Sequence, residues 1–421
     1  MSSNFRKRRC FPKLLFNKFD FVPFEVLCSF LFAEEMFNLL MVSKMIRVKI
    51  YKVGSSHAKV DSFEIAQLLM AKFPKITLHA PAGLKNVNDS QIITLTRLVE
   101  LGASHYLIDS ENCFKHLTNL TKLQFDADEF SGNAIIQLRK IKSLTMFDNS
   151  SVTDAHMKEL TTLTELTMYD CEISDVGLVY LTNLKRLDLE GYWPNKITGK
   201  GLKILTHMSS LTFRHYHKVR EIDLIGMTNL RELKIIGSLF KNNDFLSYMT
   251  FLEKLSVGDE RRYIGEISFK NFHRLRELEI VNNSAVSGRT LGSLVGLKHL
   301  VLRGTRVDGK YLRNMSVRHL EIGNNGGIKA KHLVHLVSVR TLVLFFDAGD
   351  YVSDEMVQAF KNVEVIKIVC KNYLFFKISV EAFRPLNKLK KVIVRKDFVG
   401  GAYEKFFEER GVELLRSGCD I

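Results

Sequence analysis

Pairs of an aromatic ring and a carboxylate recur at a fixed interval in the sequence. Phe147 is followed by Asp148, and about 22 residues later Tyr169 is followed by Asp170. Rings supply a large apolar contact area and carboxylates pair with cationic groups, so such pairs favour the binding of another macromolecule. These residues therefore predict a role in molecular recognition.

Catalytic and metal-binding motifs do not occur in the sequence. It contains no Gly-rich phosphate loop, no H-E-x-x-H zinc motif and no G-x-S-x-G nucleophile turn. The six cysteines lie far apart without a C-x-x-C pair, and the 13 histidines are scattered. We therefore predict a protein that is not an enzyme, with no catalytic residue, no metal site and no cofactor. The cysteine spacing favours a reducing compartment.

A leucine pattern supplies the elements that position the aromatic and acidic side chains. Its first clear copy, residues 117–125, reads L-T-N-L-T-K-L-Q-F, and later copies follow at steps of 20 to 26 residues. In an L-x-L strand both leucines point to one face, and stacked copies bury that face together. The third apolar anchor of successive copies is found at Leu123, Leu144, Leu166, Leu187, Leu211, Leu233, Leu255, Leu278, Leu300, Leu320, Leu342, Ile366 and Val392.

This pattern resembles the leucine-rich-repeat family from about residue 115 to the C-terminus, with a more divergent start at residues 73–78. The resemblance implies an α/β solenoid, with a curved parallel sheet on the concave face and short helices and irregular segments on the convex face. The family's Asn/Cys position is filled by Asn149, Cys171, Asn283 and Asn325. A small polar group there can bond backbone atoms inside the turn.

The segments after the strands predict the outer side of the solenoid. Thr153, Ser174, Thr198 and Ser353 are typical helix N-caps, so short helices are expected to follow them. Between Leu211 and Leu278 this signature lapses, and alternation at residues 222–224 and 267–269 predicts extended or irregular segments. Near the C-terminus, residues 403–407 predict a helix and residues 412–414 a last strand, which form a cap from about residue 397.

The chain before the repeats has a different pattern. Residues 1–18 form a basic tail that contains R-K-R-R at positions 6–9, residues 19–70 predict a small helical module, and residues 71–421 form the solenoid. The module resembles an F-box at its opening P-x-E-V-L (23–27) and its closing V-S-K (42–44). Departures are Val22 in place of Leu, a shorter gap between the two ends, and Ile46 near the expected Trp.

The F-box resemblance implies a substrate receptor of a cullin–RING ubiquitin ligase. The ligase adaptor subunit would contact Pro23, Glu25, Val26, Leu27, Leu39, Leu40 and Val42. The alternative is a stand-alone leucine-rich-repeat scaffold, in which the module is an N-terminal cap without a ubiquitin role.

A protein partner is expected on the concave face. The candidate contact residues are Asp126, Phe147, Asp148, Tyr169, Asp170, Asp188, Glu190, Arg303, Phe345 and Arg395. The net charge of +15 favours acidic partners, but acids and bases are mixed along the concave positions, so nucleic acid is not the expected partner. Charged residues interrupt the apolar stretch near the N-terminus, which predicts neither a membrane span nor a secretory signal, and favours a cytoplasmic or nuclear protein.

Overall fold

The computed structural model describes residues 57–73, 75–85, 87–103, 112–126, 131–191, 196–215, 218–237, 244–258, 267–286, 288–346, 352–370, 378–395 and 400–417. Contacts divide the chain into two compact units, with the division between Ser151 and Val152. The basic tail, the F-box-like motif and its predicted adaptor-binding residues lie outside the described residues.

The described part of the first unit contains five short parallel strands that pair in chain order. Each strand is bonded to the one before it, and the only break in register lies between Leu78 and His79 among the described strands. The strands are β1 (His57–Lys59), β2 (Thr77–Ala80), β3 (Leu98–Ala103), β4 (Lys122–Asp126) and β5 (Ser143–Phe147).

The second unit continues the same construction with twelve described strands. Each pairs in parallel with its sequence neighbour. The strands are β6 (Glu165–Tyr169), β7 (Arg186–Glu190), β8 (Ser210–Arg214), β9 (Glu232–Ile236), β10 (Lys254–Gly258), β11 (Glu277–Val281), β12 (His299–Arg303), β13 (His319–Gly323), β14 (Thr341–Phe346), β15 (Val365–Cys370), β16 (Lys391–Arg395) and β17 (Glu413–Ser417).

The predicted leucine anchors form the core. All of them lie at the second position of a strand and are almost completely buried. Within each unit they pair with one another, as Leu166 does with Leu187 and Leu342 with Ile366. The prediction of a solenoid built on stacked L-x-L strands is confirmed.

Short helices connect the strands on the outer side. In the first unit they are Phe63–Lys72, Asp89–Ile92 and Gly132–Ile135, with a 3-10 turn at Phe114–His116. In the second unit they are Asp154–Met157, Asp175–Leu178, Gly199–Leu202, Glu221–Leu224, Ala330–Leu333, Asp354–Gln358 and Gly401–Glu409, with 3-10 turns at Asp244–Tyr248, Leu291–Ser293, Gly309–Leu312 and Val380–Phe383. Among the described residues, none of these helices combines the length and apolar character needed to cross a membrane.

The predicted N-caps are confirmed, and the acidic residue after each cap has a further role. Asp154 accepts hydrogen bonds from the backbone N–H and the hydroxyl of Ser174, the cap of the next helix, at 2.8 and 2.5 Å. Asp175 does the same for Thr198, at 2.7 and 2.5 Å. These two carboxylates therefore hold their own helices to the following ones.

Two expectations about element boundaries need correction. Residues 221–224 form a helical turn rather than an extended segment, because the Asp223 carboxylate accepts the Arg220 backbone N–H at 3.1 Å and so caps the turn. The sheet also begins earlier than predicted: β1 lies inside the segment assigned to the N-terminal module, and the helix Phe63–Lys72 crosses the predicted boundary at residue 70.

A left-handed turn follows many strands directly. Asp148, Asp170, His215, Asn282 and Asn324 all have φ between 46° and 62° at this position. Gly237 and Gly304 occupy the equivalent place with φ of 65° and 59°. Because Asn, Asp and Gly tolerate this conformation best, the turn explains the choice of residue after the strand.

We predict that the interlock between outer helices is a main local source of stability. Asp154→Ala removes two hydrogen bonds, and we expect it to lower the free energy of unfolding by about 1–3 kcal/mol. Urea denaturation measures this loss. Glu159→Ala, at an exposed site just after the same helix, is the matched control, with an expected change within about 0.5 kcal/mol.

A double-mutant cycle tests the geometry of the interlock. A Cβ on Gly177 would lie 2.5 Å from an oxygen of the Asp154 carboxylate. Gly177→Ala should therefore cost about 1–3 kcal/mol in the wild type and less in the Asp154→Ala background. Strictly additive losses would contradict the contact.

Candidate binding surface

The first, third and fifth residues of strands β4–β16, together with His79 and Glu100 in register with them on β2 and β3, form one continuous surface within each unit, which we call the open face. It corresponds to the predicted concave face. The second and fourth residues of these strands are the buried core positions, as the alternating burial of β4 and β6 shows. The open face is therefore the side of the sheet whose residue types the core does not dictate.

In the first unit the open face carries an acid between two bases. The Glu100 carboxylate lies 2.8 Å from the Lys122 ammonium and 3.1 Å from the His79 ring. Burial raises the pKa of Glu100, but the hydrogen bonds from Lys122 and His79 outweigh it and hold the pKa below its usual value. Of the predicted residues, Asp126 and Phe147 are direct partners on neighbouring strands.

The start of the second unit brings four open-face residues together. Tyr169, Asp188 and Glu190 were predicted, whereas Arg214 was not. Tyr169 pairs with Glu190 across β6 and β7, and the Arg214 guanidinium lies 3.2 Å from the Glu190 carboxylate. Burial raises the pKa of Asp188, with Glu190 adding to the rise and Arg214 opposing it. Burial, then Asp188, also raises the pKa of the Tyr169 hydroxyl.

A second cluster surrounds Arg303 on β12. Its guanidinium lies 3.0 Å from the Glu321 carboxylate, 3.6 Å from that of Glu279, and 5.0 Å from the centre of the Phe345 ring. Gly323 occupies the fifth position of the intervening strand β13, where a Cβ would lie 2.6 Å from that of Phe345. The missing side chain leaves room for this cation–π contact, so the predicted pair Arg303 and Phe345 does come together.

Two histidines face each other beside this cluster. The rings of His299 and His319 occupy paired first positions of β12 and β13, with their centres 4.0 Å apart. Burial, and then the neighbouring His299, lowers the pKa of His319 to about 4. A neutral His319 is therefore part of the folded surface at physiological pH.

A shallow hollow of about 220 Å³ lies over strands β8–β12. Its charged lining consists of Glu232, Lys234, Lys254, Glu277 and Glu279, with His299 at one side. Lys254 bridges two of these carboxylates, at 3.3 Å from Glu277 and 3.7 Å from Glu232. The charges of the hollow are thus largely matched within the protein.

The open face of β14–β16 differs from the rest and is called the late patch. Its apolar residues are Val343, Phe345, Val365, Val369 and Ile393, and its basic residues are Lys367, Lys391 and Arg395. The only other open-face residue of these three strands is Thr341. None of the open-face residues of these three strands carries a carboxylate.

Several predicted residues have structural roles that sequence reasoning missed. Asp148 and Asp170 adopt the left-handed turn after β5 and β6, which accounts for an Asp at these positions. Phe147 lies in the first unit and Tyr169 in the second, and the binding of one partner by both rings stays a prediction. Sequence reasoning missed Arg214, at the fifth position of its strand, and His299 and Glu321, at a first and a third position, although the alternation of each strand places all three on the open face.

The Asn/Cys position behaves as predicted. The amide oxygen of Asn283 accepts the Ala285 N–H at 3.0 Å, and that of Asn325 accepts the Gly327 N–H at 3.3 Å. The Cys171 thiol donates to the Tyr169 carbonyl at 3.3 Å. These contacts satisfy turn atoms and give Cys171 a structural explanation.

Comparison with solved structures identifies the architecture. An internalin from Listeria monocytogenes superimposes with a TM-score of 0.50 at 21% identity, covering 80% of this chain and 95% of that chain. The fold is a leucine-rich-repeat solenoid. Two further similar structures are a leucine-rich-repeat protein of Leptospira interrogans (TM-score 0.48, 16% identity, 83% of this chain and 91% of that one) and TLR13 in a complex with ssRNA13 (0.42, 16%, 84% and 65%).

Comparisons at the sequence level find no relative. No protein-family model and no curated protein matches this chain. Within the described residues, no group of three or more His, Cys, Asp or Glu side chains is arranged to hold a metal ion.

We predict that Asp188 lowers the stability of the fold at neutral pH. Its folded-state pKa is raised, so ionisation is disfavoured in the folded protein and stability falls as the pH rises through that range. Asp188→Asn should raise the melting temperature at pH 7 by about 2 °C. The gain should shrink on titration towards pH 4; a constant gain would show that ionisation is not its cause.

We predict the opposite pH dependence for His319. The unfolded chain takes up a proton near pH 6.5, whereas folded His319 resists protonation until about pH 4, so stability is lost as the pH falls between these values. In His319→Asn, the urea midpoint should fall less between pH 7 and pH 4.5 than in the wild type. His335→Asn, at an exposed site on the outer side, should retain the wild-type slope.

Proposed function

We propose that this leucine-rich-repeat protein captures a protein partner on its open face and performs no chemistry on it. The observation that supports the proposal is the contrast between the two faces of the sheet. The core positions repeat Leu, Ile, Val, Phe or Met in strands β4–β16, whereas the open-face positions change from strand to strand. Residue types that packing does not require are available for recognition.

The energetics of the open face favour the same proposal. Asp188 and Glu190 lie close together on β7 and are partly buried. Arg214 of the next strand, β8, pairs with Glu190. Partial burial of like charges costs stability in the isolated protein. A partner that supplies a cationic group there would offset this cost, as is typical of binding sites.

Aromatic anchors complete the proposed site. Tyr169 lies beside the acidic cluster, and Phe345 lies beneath Arg303. Partly buried Tyr, Phe and Arg side chains on a rigid sheet are the residues that most often dominate protein interfaces.

The finer proposal is that the protein is the substrate receptor of an F-box type ubiquitin ligase. It is supported by the resemblance of residues 22–44 to an F-box, with Pro23, Glu25 and Leu27 as its best matches. A stand-alone scaffold remains the competing proposal, since both share the same repeats and the same open face.

Partner capture is tested by substituting the two early aromatic anchors. Immobilised wild-type protein and the variant Phe147→Ala with Tyr169→Ala are incubated with cell lysate, and bound proteins are quantified by mass spectrometry. We expect at least one protein to be depleted about tenfold in the variant, because removing a hot-spot ring costs 1 kcal/mol or more.

The matched control removes two exposed tyrosines from the outer side, Tyr180 and Tyr248. Tyr180→Ala with Tyr248→Ala should capture the same proteins as the wild type. Equal capture by all three proteins, each folded by circular dichroism, would count against the open face as the binding site.

The ligase proposal is tested separately with purified adaptor subunit. The full-length protein should retain the adaptor, and a form lacking residues 1–50 should not, because the predicted adaptor contacts lie at Pro23–Val42. If the full-length chain fails to retain it while remaining folded, the scaffold proposal stands instead.

A further inference from the structure

Four basic residues of the second unit form a row at the edge where the strands begin. Arg276, Lys298, Arg318 and Arg340 each stand immediately before one of the strands β11–β14. The backbone N–H of Lys298 donates to the Arg276 carbonyl at 2.8 Å, and Arg318 and Arg340 continue the ladder at 2.9 and 2.8 Å. At a strand spacing of about 4.8 Å, this basic row is about 14 Å long.

The charges of the same ladder are compensated on either side of the basic row. Just before it, Arg231 pairs with Glu253 at 2.6 Å. The last arginine of the row lies 3.6 Å from Glu364, which follows it in the ladder. No carboxylate among the described residues pairs with Lys298 or Arg318 in the middle of the row. Like charges on neighbouring strands repel, so this arrangement costs stability unless an anion lies along it.

The chain around the row is equally basic. We call the seven residues before each of β11–β14 the basic flank; they are residues 270–276, 292–298, 312–318 and 334–340, and they contain seven Lys or Arg and no Asp or Glu. Arg276 donates to the Gly296 carbonyl at 3.1 Å, and the Arg274 guanidinium lies 4.5 Å from the centre of the Phe251 ring. Both contacts leave the positive charge uncompensated.

The basic flank also carries exposed aliphatic side chains. Val295 is 81% exposed and Val337 is 63% exposed, and these are the two most exposed large apolar residues of the described chain. Each stands three positions before a member of the basic row. A surface that combines a row of bases with protruding valines fits a partner that is anionic and apolar at once.

We propose that the basic flank rests on the surface of a membrane that contains anionic phospholipid. The basic row would lie against lipid phosphates, and Val295 and Val337 would enter between the headgroups. An anionic leaflet attracts each Lys or Arg near it, and apolar side chains among the bases add to the binding. The contact is peripheral, so it needs no membrane-spanning helix. It goes beyond the proposed function, because it involves none of the open-face residues.

Nucleic acid also carries phosphates but matches the basic flank less well. Single strands are held by exposed aromatic rings on which the bases stack. The flank contains one Phe, Tyr or Trp ring, that of Phe272, and it is buried. A duplex is bound mainly through its phosphates, which leaves Val295 and Val337 without an apolar partner.

Co-sedimentation of the full chain with lipid vesicles tests the proposal. One set of vesicles consists of phosphatidylcholine, and the other contains about 30% phosphatidylserine in addition. We expect the partition coefficient to be at least about tenfold higher for the anionic vesicles. It should fall as the salt concentration rises, because salt screens the attraction between the bases and the leaflet.

Charge variants locate the contact. Lys298→Glu with Arg318→Glu should lower the partition coefficient for anionic vesicles at least about tenfold. Lys158→Glu with Lys200→Glu makes the same change of charge at exposed sites on the outer side of earlier repeats. This matched control should keep the wild-type value.

Apolar variants distinguish a membrane from other polyanions. Val295→Ser with Val337→Ser should lower the partition coefficient at least about threefold, because the valines no longer enter the apolar part of the interface. Val176→Ser with Ile222→Ser alters residues of the outer helices that are 59% and 55% exposed. That control should partition as the wild type does.

Several results would overturn the inference, provided that each variant is folded by circular dichroism. These are equal partition into both kinds of vesicle, or the same partition for either flank variant and its control. A third is release from the vesicles by an oligouridylate, a DNA duplex or polyglutamate at a lower charge concentration than that of the anionic lipid, which would assign the flank to nucleic acid or to an acidic protein. None of them affects the capture of a partner through Phe147 and Tyr169, which is measured without vesicles.

Discussion

The structure depends on one constraint: a short strand of the L-x-L type cannot bury its apolar side by itself. Each strand has two core side chains and too little surface to shield them from water, so it needs a strand on either side. Parallel pairing in constant register places Leu166 on Leu187 and Leu342 on Ile366, and each repeat completes the core of the next. The copies can therefore differ in length, from 20 to 26 residues, provided that the strand register is kept.

Neighbouring repeats also depend on one another through polar contacts on the outer side. The carboxylate after one helix cap accepts hydrogen bonds from the cap of the next repeat, as Asp154 does from Ser174. Gly177 leaves the space that this carboxylate needs. Neighbouring repeats are thus held together by buried leucines on one side and by directed hydrogen bonds on the other.

With stability supplied by the core and the outer helices, the open face tolerates arrangements that weaken the fold. A raised pKa at Asp188 and a strongly lowered one at His319 both mean that a charged form is disfavoured in the folded state. These groups lie on the open face, where core packing does not restrict the residue type. Along β9–β13 acidic and basic side chains of neighbouring strands pair with one another, as Lys254 does with Glu277 and Arg303 with Glu321.

The sequence by itself determined the repeat, the core anchors from Leu123 to Val392, four of the helix caps and the residues of the Asn/Cys turn, because each depends on contacts within one repeat or on strict periodicity. It misjudged residues 221–224, where the side chain of Asp223 caps a turn that the apolar alternation concealed. Only the tertiary structure decided which open-face residues meet. Arg214 with Glu190, and Arg303 with Phe345 across Gly323, are brought together by strand register between repeats, and a contact between residues more than 20 positions apart has no local signal in the chain.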